Sequence, residues 1–184
     1  MSEGVRECRQ AVAADPLSAY ATALLGFSLL CGGEPGEGLE CGRRAATLDS
    51  ESLLTHWIHG LAAYAARQYD EALAAYRRAE AVSGSHPYPV SSTTVAYADA
   101  GRIADARANH ARLVDIASRR HVAPAMLAMS AGAIGELDQA IELATQACDE
   151  RDPVLIIVAR DFPPFRRVSD DPRFGEVLRR LRLP

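Results

Sequence analysis

The sequence lacks lysine, long apolar runs and a strong excess of either charge. All 20 basic residues among the 184 are arginine, a bias typical of GC-rich coding sequences. No apolar run approaches the roughly 18 residues of a membrane span, so we expect no membrane association. The formal net charge of -4 argues against nucleic acid as the main partner. Residues 1–4 have no basic start before an apolar stretch, so we expect no signal peptide and a cytoplasmic protein.

The sequence also lacks any standard metal or disulfide pattern. The cysteines, Cys8, Cys31, Cys41 and Cys148, form no CxxC pair and have no zinc-finger spacing with histidine. Their apolar, helical neighbours predict small core or half-buried thiols in a reduced compartment. The histidines at 56 and 59 share a helical face, but no carboxylate lies within a turn of them, so we expect structural roles, no metal and no other cofactor.

No known catalytic spacing occurs. There is no GxSxG, P-loop, GxGxxG, HExxH or EF-hand pattern. Ser85 precedes His86, but this pair falls in a link between helices, and we interpret it as a loop. We therefore predict a non-enzymatic protein; the alternative is an enzyme whose site has no recognisable motif.

An internal repeat organises the chain. Ala72, Ala106 and Ala140 lie 34 residues apart, and so do Gly101 and Gly135. Within each copy, apolar residues recur at the helical period of 3.6 on both sides of a short turn, which predicts two amphipathic helices. The predicted copies are residues 19–52, 53–86, 87–120 and 121–154.

Local signals support the helices. Gly33, Gly101 and Gly135 follow the first helix of their copies, where a left-handed residue ends a helix at low cost. Asp-Pro pairs begin at residues 15, 152 and 171, and each predicts a carboxylate N-cap before a proline in the first turn. No strand-like alternation occurs, so we predict an all-α fold.

The repeat resembles the tetratricopeptide repeat (TPR). The second copy matches its motif best, with Gly60, Ala72, Tyr76 and Ala79 at the small, small, aromatic and small positions. The first copy departs from the motif, because Gly38 and Gly42 stand where alanine and an aromatic are usual, so we expect a weak second helix there. The resemblance implies a right-handed α-α superhelix, or TPR solenoid, of about four helix-turn-helix repeats.

Both ends of the array carry additional segments. Residues 4–14 match only the second helix of a preceding repeat, which indicates either that this helix caps the array or that the array is cut from a longer one, and we favour the second interpretation. Residues 155–184 predict a capping helix that covers the apolar end of the last repeat. The residues expected to cover it are Phe162, Phe165, Phe174, Val177 and Leu181.

The C-terminal segment has a second resemblance. It is similar to the end of the TPR regions of bacterial adenylate-cyclase-like proteins, serine/threonine kinases and winged-helix regulators. That resemblance implies a regulatory region and transfers no activity. Residues 151–184 hold eight arginines against five acidic residues. We attribute this excess mainly to helix C-terminal charge and to pairing with the acidic body, with anion binding as the alternative.

The resemblance also implies where a partner binds. In TPR arrays the first helix of each repeat lines a concave groove, and peptides commonly bind there. The groove residues predicted on this basis are mainly apolar and aromatic: Tyr20, Phe27, Leu54, Trp57, Leu61, Tyr64, Tyr88 and Val95. The basic and amide residues of a carboxylate clamp are absent from these positions. The alternative is that these side chains are core between adjacent helices.

The predicted function is a protein-interaction or scaffolding module. Its partner would be a protein or peptide with an apolar segment, such as one face of an amphipathic helix. The alternatives left open are a homodimer through the same face and an RNA-binding helical repeat. The second alternative needs a polar, basic groove, which the apolar residues do not supply.

Overall fold

The computed structural model describes residues 3–159 and 162–181, apart from the side chain of Pro163. Over these residues the chain forms twelve α-helices, one short 3₁₀ turn at Pro163–Phe165 and no strand. The helices are α1 (Glu3–Ala14), α2 (Ala19–Cys31), α3 (Pro35–Leu48), α4 (Leu53–Ala65), α5 (Tyr69–Ser83), α6 (Pro87–Asp99), α7 (Ile103–Arg119), α8 (Pro124–Ala133), α9 (Leu137–Asp149), α10 (Pro153–Val158), α11 (Arg166–Ser169) and α12 (Phe174–Arg180).

The all-α prediction is confirmed, and each 34-residue window holds one pair of helices joined by a short turn. Helices that follow one another pack together, as α2 does with α3, α4 with α5, and α8 with α9. The chain divides into two compact units, Met1–Pro89 and Val90–Pro184. No helix among the described residues is both long enough and apolar enough to cross a lipid bilayer.

The turns within the repeats behave as the glycines predict. Gly33, Gly101 and Gly135 have φ angles of 81°, 77° and 88°, in the left-handed region. In the second copy, the residue in the turn after the first helix is Arg67, and its φ angle is 61°. A side chain is strained in this region, so the conformation is imposed by the helices on either side.

The predicted Asp-Pro caps are only partly confirmed. Asp152 does cap α10, because its carboxylate accepts a hydrogen bond from the N–H of Val154 at 2.9 Å. The predictions for Asp15 and Asp171 are wrong. Each of these carboxylates accepts from the backbone N–H two residues later, at 3.1 and 2.9 Å, and closes a turn ahead of the helix. Ser18 is the cap of α2.

Glycines bring the helices of the first unit into close contact. The ring of Tyr76 on α5 lies directly over Gly60 on α4 and is fully buried, so a Cβ at residue 60 would overlap it. A Cβ at Gly42 on α3 would stand 2.8 Å from the Cα of His59 on α4. The glycines at 38 and 42, which depart from the TPR motif, are thus buried points of helix contact.

The second unit contains a buried polar layer. The side-chain amide of Asn109 on α7 donates to the carbonyl of Val90 at 2.7 Å and to the hydroxyl of Thr94 at 2.9 Å, both on α6. His110 is hydrogen-bonded to the hydroxyl of Ser130 on α8 at 2.9 Å. Burial lowers the pKa of His110, and the charge of Glu136 opposes this effect. Satisfied hydrogen bonds of this kind offset the cost of burying polar groups.

The C-terminal segment covers α8 and α9 with three short helices and a 3₁₀ turn instead of the predicted single helix. Phe162, Phe165, Phe174 and Val177 are all at most 2% exposed, as predicted for a cap, and Leu181 is half-buried. Residues 182–184 lie outside the described residues.

Arginines of the C-terminal segment form ion pairs with the earlier helices of their unit. Arg167 pairs with Asp99 at 2.6 Å and Arg173 pairs with Asp138 at 2.6 Å, while Arg180 pairs with Asp149. These contacts agree with the predicted pairing between the C-terminal arginines and the acidic body.

The cysteine prediction holds for three of the four thiols. Cys8, Cys41 and Cys148 are half-buried, whereas Cys31 is exposed because it ends α2 beside the turn. Burial, and then the nearby carboxylate of Glu37, raise the pKa of the Cys41 thiol.

Gly60→Ala should destabilise the first unit by about 1–3 kcal/mol, because the added methyl group has no space beside the buried ring of Tyr76. Urea unfolding followed by circular dichroism measures the change. Gly36→Ala is the matched control in α3: nothing lies within 4 Å of its Cβ, so we expect no loss of stability. Equal effects of the two substitutions would contradict the proposed contact.

Asp152→Ala should destabilise the second unit by about 2–3 kcal/mol. It removes the cap of α10, and it leaves the buried N–H of Ala125 on α8, which now donates to Asp152 at 3.1 Å, without an acceptor. Thermal and urea unfolding measure the loss. Asp170→Ala, at an exposed carboxylate in the same segment, should change stability by less than about 0.5 kcal/mol. A stable D152A variant would show that water replaces both hydrogen bonds.

Candidate functional site

Five of the eight predicted groove residues are accessible, and all five belong to the first unit. Tyr20 is 63% exposed, while Phe27, Leu54, Trp57 and Tyr88 are half-buried. We call these five residues the aromatic face. Phe27, Leu54 and Trp57 pack on a buried cluster of Ala23, Ala45 and Ile58, which joins α2, α3 and α4.

The densest part of the aromatic face is a cluster of stacked rings. The centroids of Trp57 on α4 and Tyr88 on α6 are 5.0 Å apart with the rings tilted by 34°. His86 meets the ring of Tyr88 edge-on at 4.8 Å. Such contacts stabilise aromatic pairs beyond simple burial. His86, which the sequence indicated only as a loop residue, therefore belongs to the same cluster.

The other three predicted groove residues are core, not surface. Leu61, Tyr64 and Val95 are 0%, 7% and 2% exposed. The reason for Leu61 and Tyr64 is that the second half of α4 is apolar on all sides and is enclosed by its neighbours. Val95 lies in a stretch of α6 whose side chains are all buried from residue 89 to 96. In this conformation none of the three can contact a partner.

Five exposed large apolar residues among the described residues were not predicted: Leu17 in the first unit, and Ile103, Val114, Ile156 and Ile157 in the second. Leu17 is 77% exposed in the turn before α2, three residues from Tyr20. A large apolar side chain in a turn was the signal available in the sequence.

A second surface feature lies between α3, α4 and α5. It is an open pocket of about 360 Å³, which we call the α3–α5 pocket. Successive helical residues turn by about 100°, so His59 projects roughly opposite to Trp57 on α4. The pocket is lined by Arg43, Ala46, Thr47, His56, His59, Glu71, Ala74, Ala75 and Arg78.

An ion network joins the three helices at this pocket. Arg43 donates to both carboxylate oxygens of Glu71, from Nε at 2.8 Å and from Nη2 at 2.7 Å. His59 Nε2 donates to Glu71 Oε1 at 2.7 Å. The hydrogen bonds from Arg43, and then from His59, lower the pKa of Glu71 to about 2 against an opposing effect of partial burial. The carboxylate is therefore ionised at neutral pH, and both of its oxygens accept charge-assisted hydrogen bonds.

The two histidines predicted to be structural do have structural partners. His56 Nε2 donates to the carbonyl of Ser50 at 2.8 Å, in the loop before α4, and His59 bonds Glu71 as described. The carboxylate that the sequence did not show near the histidine pair comes from the next helix. Among the described residues, no group of three or more His, Cys, Asp or Glu side chains is placed to hold a metal ion.

Glu71→Gln should lower the free energy of unfolding at pH 7 by roughly 1–2 kcal/mol, because Arg43 and His59 lose a charged acceptor. The folded-state pKa lies below the ordinary value of 4.5, so the ionised carboxylate stabilises the fold above about pH 4.5, and this contribution is lost as the pH falls towards about 2. Urea unfolding of both proteins between pH 7 and pH 2 measures the difference.

Asp70→Asn is the control for that series. Asp70 is the exposed neighbour of Glu71 and makes no ion pair among the described residues, so its substitution should shift stability little. If the difference between wild type and E71Q stayed constant below pH 4, Glu71 would not be the titrating group.

No family model matches the chain, and no curated protein matches it. Several solved structures do match the chain. TTC0263, a thermophilic TPR protein of Thermus thermophilus, is 19% identical with a TM-score of 0.67, and the match covers 95% of this chain and 88% of that one.

Two further solved structures agree with this match. YrrB, a TPR protein with an unusual peptide-binding site, is 16% identical with a TM-score of 0.53 over 96% of this chain and 91% of that one. MamA is 19% identical with a TM-score of 0.56, and the match covers 83% of this chain and 89% of that one. At these identities the likeness shows the fold alone. The chain has the fold of the tetratricopeptide repeat proteins.

Proposed function

We propose that this chain is a non-enzymatic interaction module that binds an apolar segment of a protein partner on its aromatic face. The observation that carries the proposal is the half-buried ring pair of Trp57 and Tyr88, 5.0 Å apart. Each ring leaves part of its apolar surface in water although it is held by neighbouring helices. Trp and Tyr in this situation are frequent anchors of binding energy at interfaces.

The rest of the face extends that anchor. Phe27 and Leu54 continue from Trp57 along the same buried cluster, and Tyr20 lies two turns before Phe27 on α2. Residues seven apart share a helical face, so Tyr20 and Phe27 form one stripe. A stripe of this kind suits the apolar side of an amphipathic helix or an extended apolar segment.

The comparison with known structures supports binding in general terms. TPR proteins share this fold, and YrrB is described as having a peptide-binding site. The residues of the aromatic face are almost all apolar, which favours an apolar segment over a free carboxylate terminus or an RNA base. The proposed setting is the regulatory part of a bacterial signalling system in the cytoplasm; its support is the resemblance of the C-terminal segment noted above.

A peptide library displayed on phage and selected on the immobilised chain would test the proposal. Selected peptides should share two or more apolar or aromatic anchors. Their binding to a Trp57→Ala/Phe27→Ala variant should weaken by at least about 30-fold, the equivalent of about 2 kcal/mol. Fluorescence anisotropy with a labelled peptide measures the affinity, and circular dichroism checks that the variant is folded.

Val114→Ala is the matched control, because Val114 is an apolar side chain 45% exposed on α7 in the second unit. It should bind the peptides as the wild type does. Tyr20→Ala, at a 63% exposed position, is the variant least able to disturb folding and should weaken binding several-fold. Unchanged affinity in folded W57A/F27A would overturn the proposal.

Light scattering over a concentration series separates this function from self-association. A dimer that dissociates in W57A/F27A would assign the aromatic face to a second copy of the chain. If the wild type and W57A/F27A are both monomeric, the aromatic face is free to bind a different protein.

A further inference from the structure

We propose that the α3–α5 pocket binds a small organic monocarboxylate with Arg78 as its anchor. The site is separate from the aromatic face, because His59 projects roughly opposite to Trp57 on α4. The proposal therefore stands or falls independently of the proposed function.

The size of the pocket suits a small molecule. Its volume of about 360 Å³ lies within the range of ligand sites, which begins near 300 Å³. The pocket therefore has room for one small ring with a substituent. Three alanines, at residues 46, 74 and 75, present methyl groups to this space and suit an apolar body.

Of the two arginines that line the pocket, the exposed Arg78 is the one that forms no ion pair with another described residue. The single lining carboxylate of the pocket is that of Glu71, and both of its oxygens accept hydrogen bonds from Arg43 or His59. Arg43 also donates to Glu40 at 2.6 Å and to Gln68 at 3.2 Å, so its guanidinium is committed to the protein. Arg78 lines the same pocket and makes no hydrogen bond or ion pair with any other described residue.

The chemistry of Arg78 defines the ligand. A guanidinium presents two parallel N–H donors that match the two oxygens of a carboxylate. Both histidines donate their Nε2 protons to Ser50 and Glu71, so in the neutral ring neither supplies a second donor. An apolar body on the alanines and a carboxylate on Arg78 together describe a short aliphatic or aryl acid.

Benzoate is the probe for this site, and benzamide is its neutral counterpart of nearly equal shape. Titration of the full ¹⁵N-labelled chain should show saturable shifts for benzoate at the backbone amides of residues 43–47 and 74–78, and none for benzamide. Arg78→Gln should weaken benzoate at least ten-fold. Arg77→Gln is the matched control: Arg77 is an exposed neighbour on α5 outside the pocket lining, and this change should alter affinity less than two-fold.

A second variant tests the shape of the pocket rather than its charge. Ala74 is exposed, so Ala74→Phe can fill the space without entering the core, and it should abolish the benzoate shifts while Arg78 is retained. Equal loss in R77Q and R78Q, binding of benzamide, or undiminished binding to A74F would overturn the proposal. Inorganic phosphate that displaced benzoate at lower concentration would overturn the assignment to a monocarboxylate.

Discussion

The close approach of α4 to α5 is the contact on which the first unit depends. Gly60 lies under the fully buried ring of Tyr76, and the absence of a Cβ there sets how near the two helices stand. Packed interiors tolerate little change of volume, so this distance is held firmly. The contact between Gly60 and Tyr76 therefore holds both sides of α4 in place. Trp57 is fixed on one side of the helix, and His59, which bonds Glu71 of α5, is fixed on the other.

The glycines of the first copy follow the same logic. A TPR motif predicts alanine and an aromatic at residues 38 and 42, and their replacement by glycine suggests a weak helix when the sequence is considered alone. In the structure Gly42 lets the backbone of α3 approach the Cα of His59. Arg43 is the next residue, and this approach places it within 2.8 Å of Glu71. The departure from the motif thus has a structural cause, namely the junction of three helices that also forms the pocket.

Prediction from sequence succeeded where one helix decides the outcome. The apolar period of 3.6 residues predicted the helices, and Gly101 and Gly135 located two of the turns, because both signals depend on residues that are close in the sequence. It failed where neighbouring helices decide. Leu61 lies one turn after Trp57 on the same side of α4. The surrounding helices bury Leu61 completely but leave Trp57 half-exposed, and the sequence of α4 alone does not distinguish the two. The pocket escaped prediction for the same reason, since Arg43 and Glu71 are 28 residues apart and meet through packing.

The phenylalanines of the C-terminal segment are buried, whereas the rings of the aromatic face are partly exposed, and this difference bears on the proposed binding site. In the second unit Phe162, Phe165 and Phe174 are at most 2% exposed, because the C-terminal segment packs on α8 and α9. In the first unit, Trp57 and Tyr88 leave part of their rings in water, and Tyr20 is 63% exposed. Partly exposed aromatic rings on fixed helices lose little conformational freedom on binding, so more of their contact energy remains as affinity. On this argument the aromatic face is better suited to recognition than the phenylalanines of the C-terminal segment, which seal the end of the second unit.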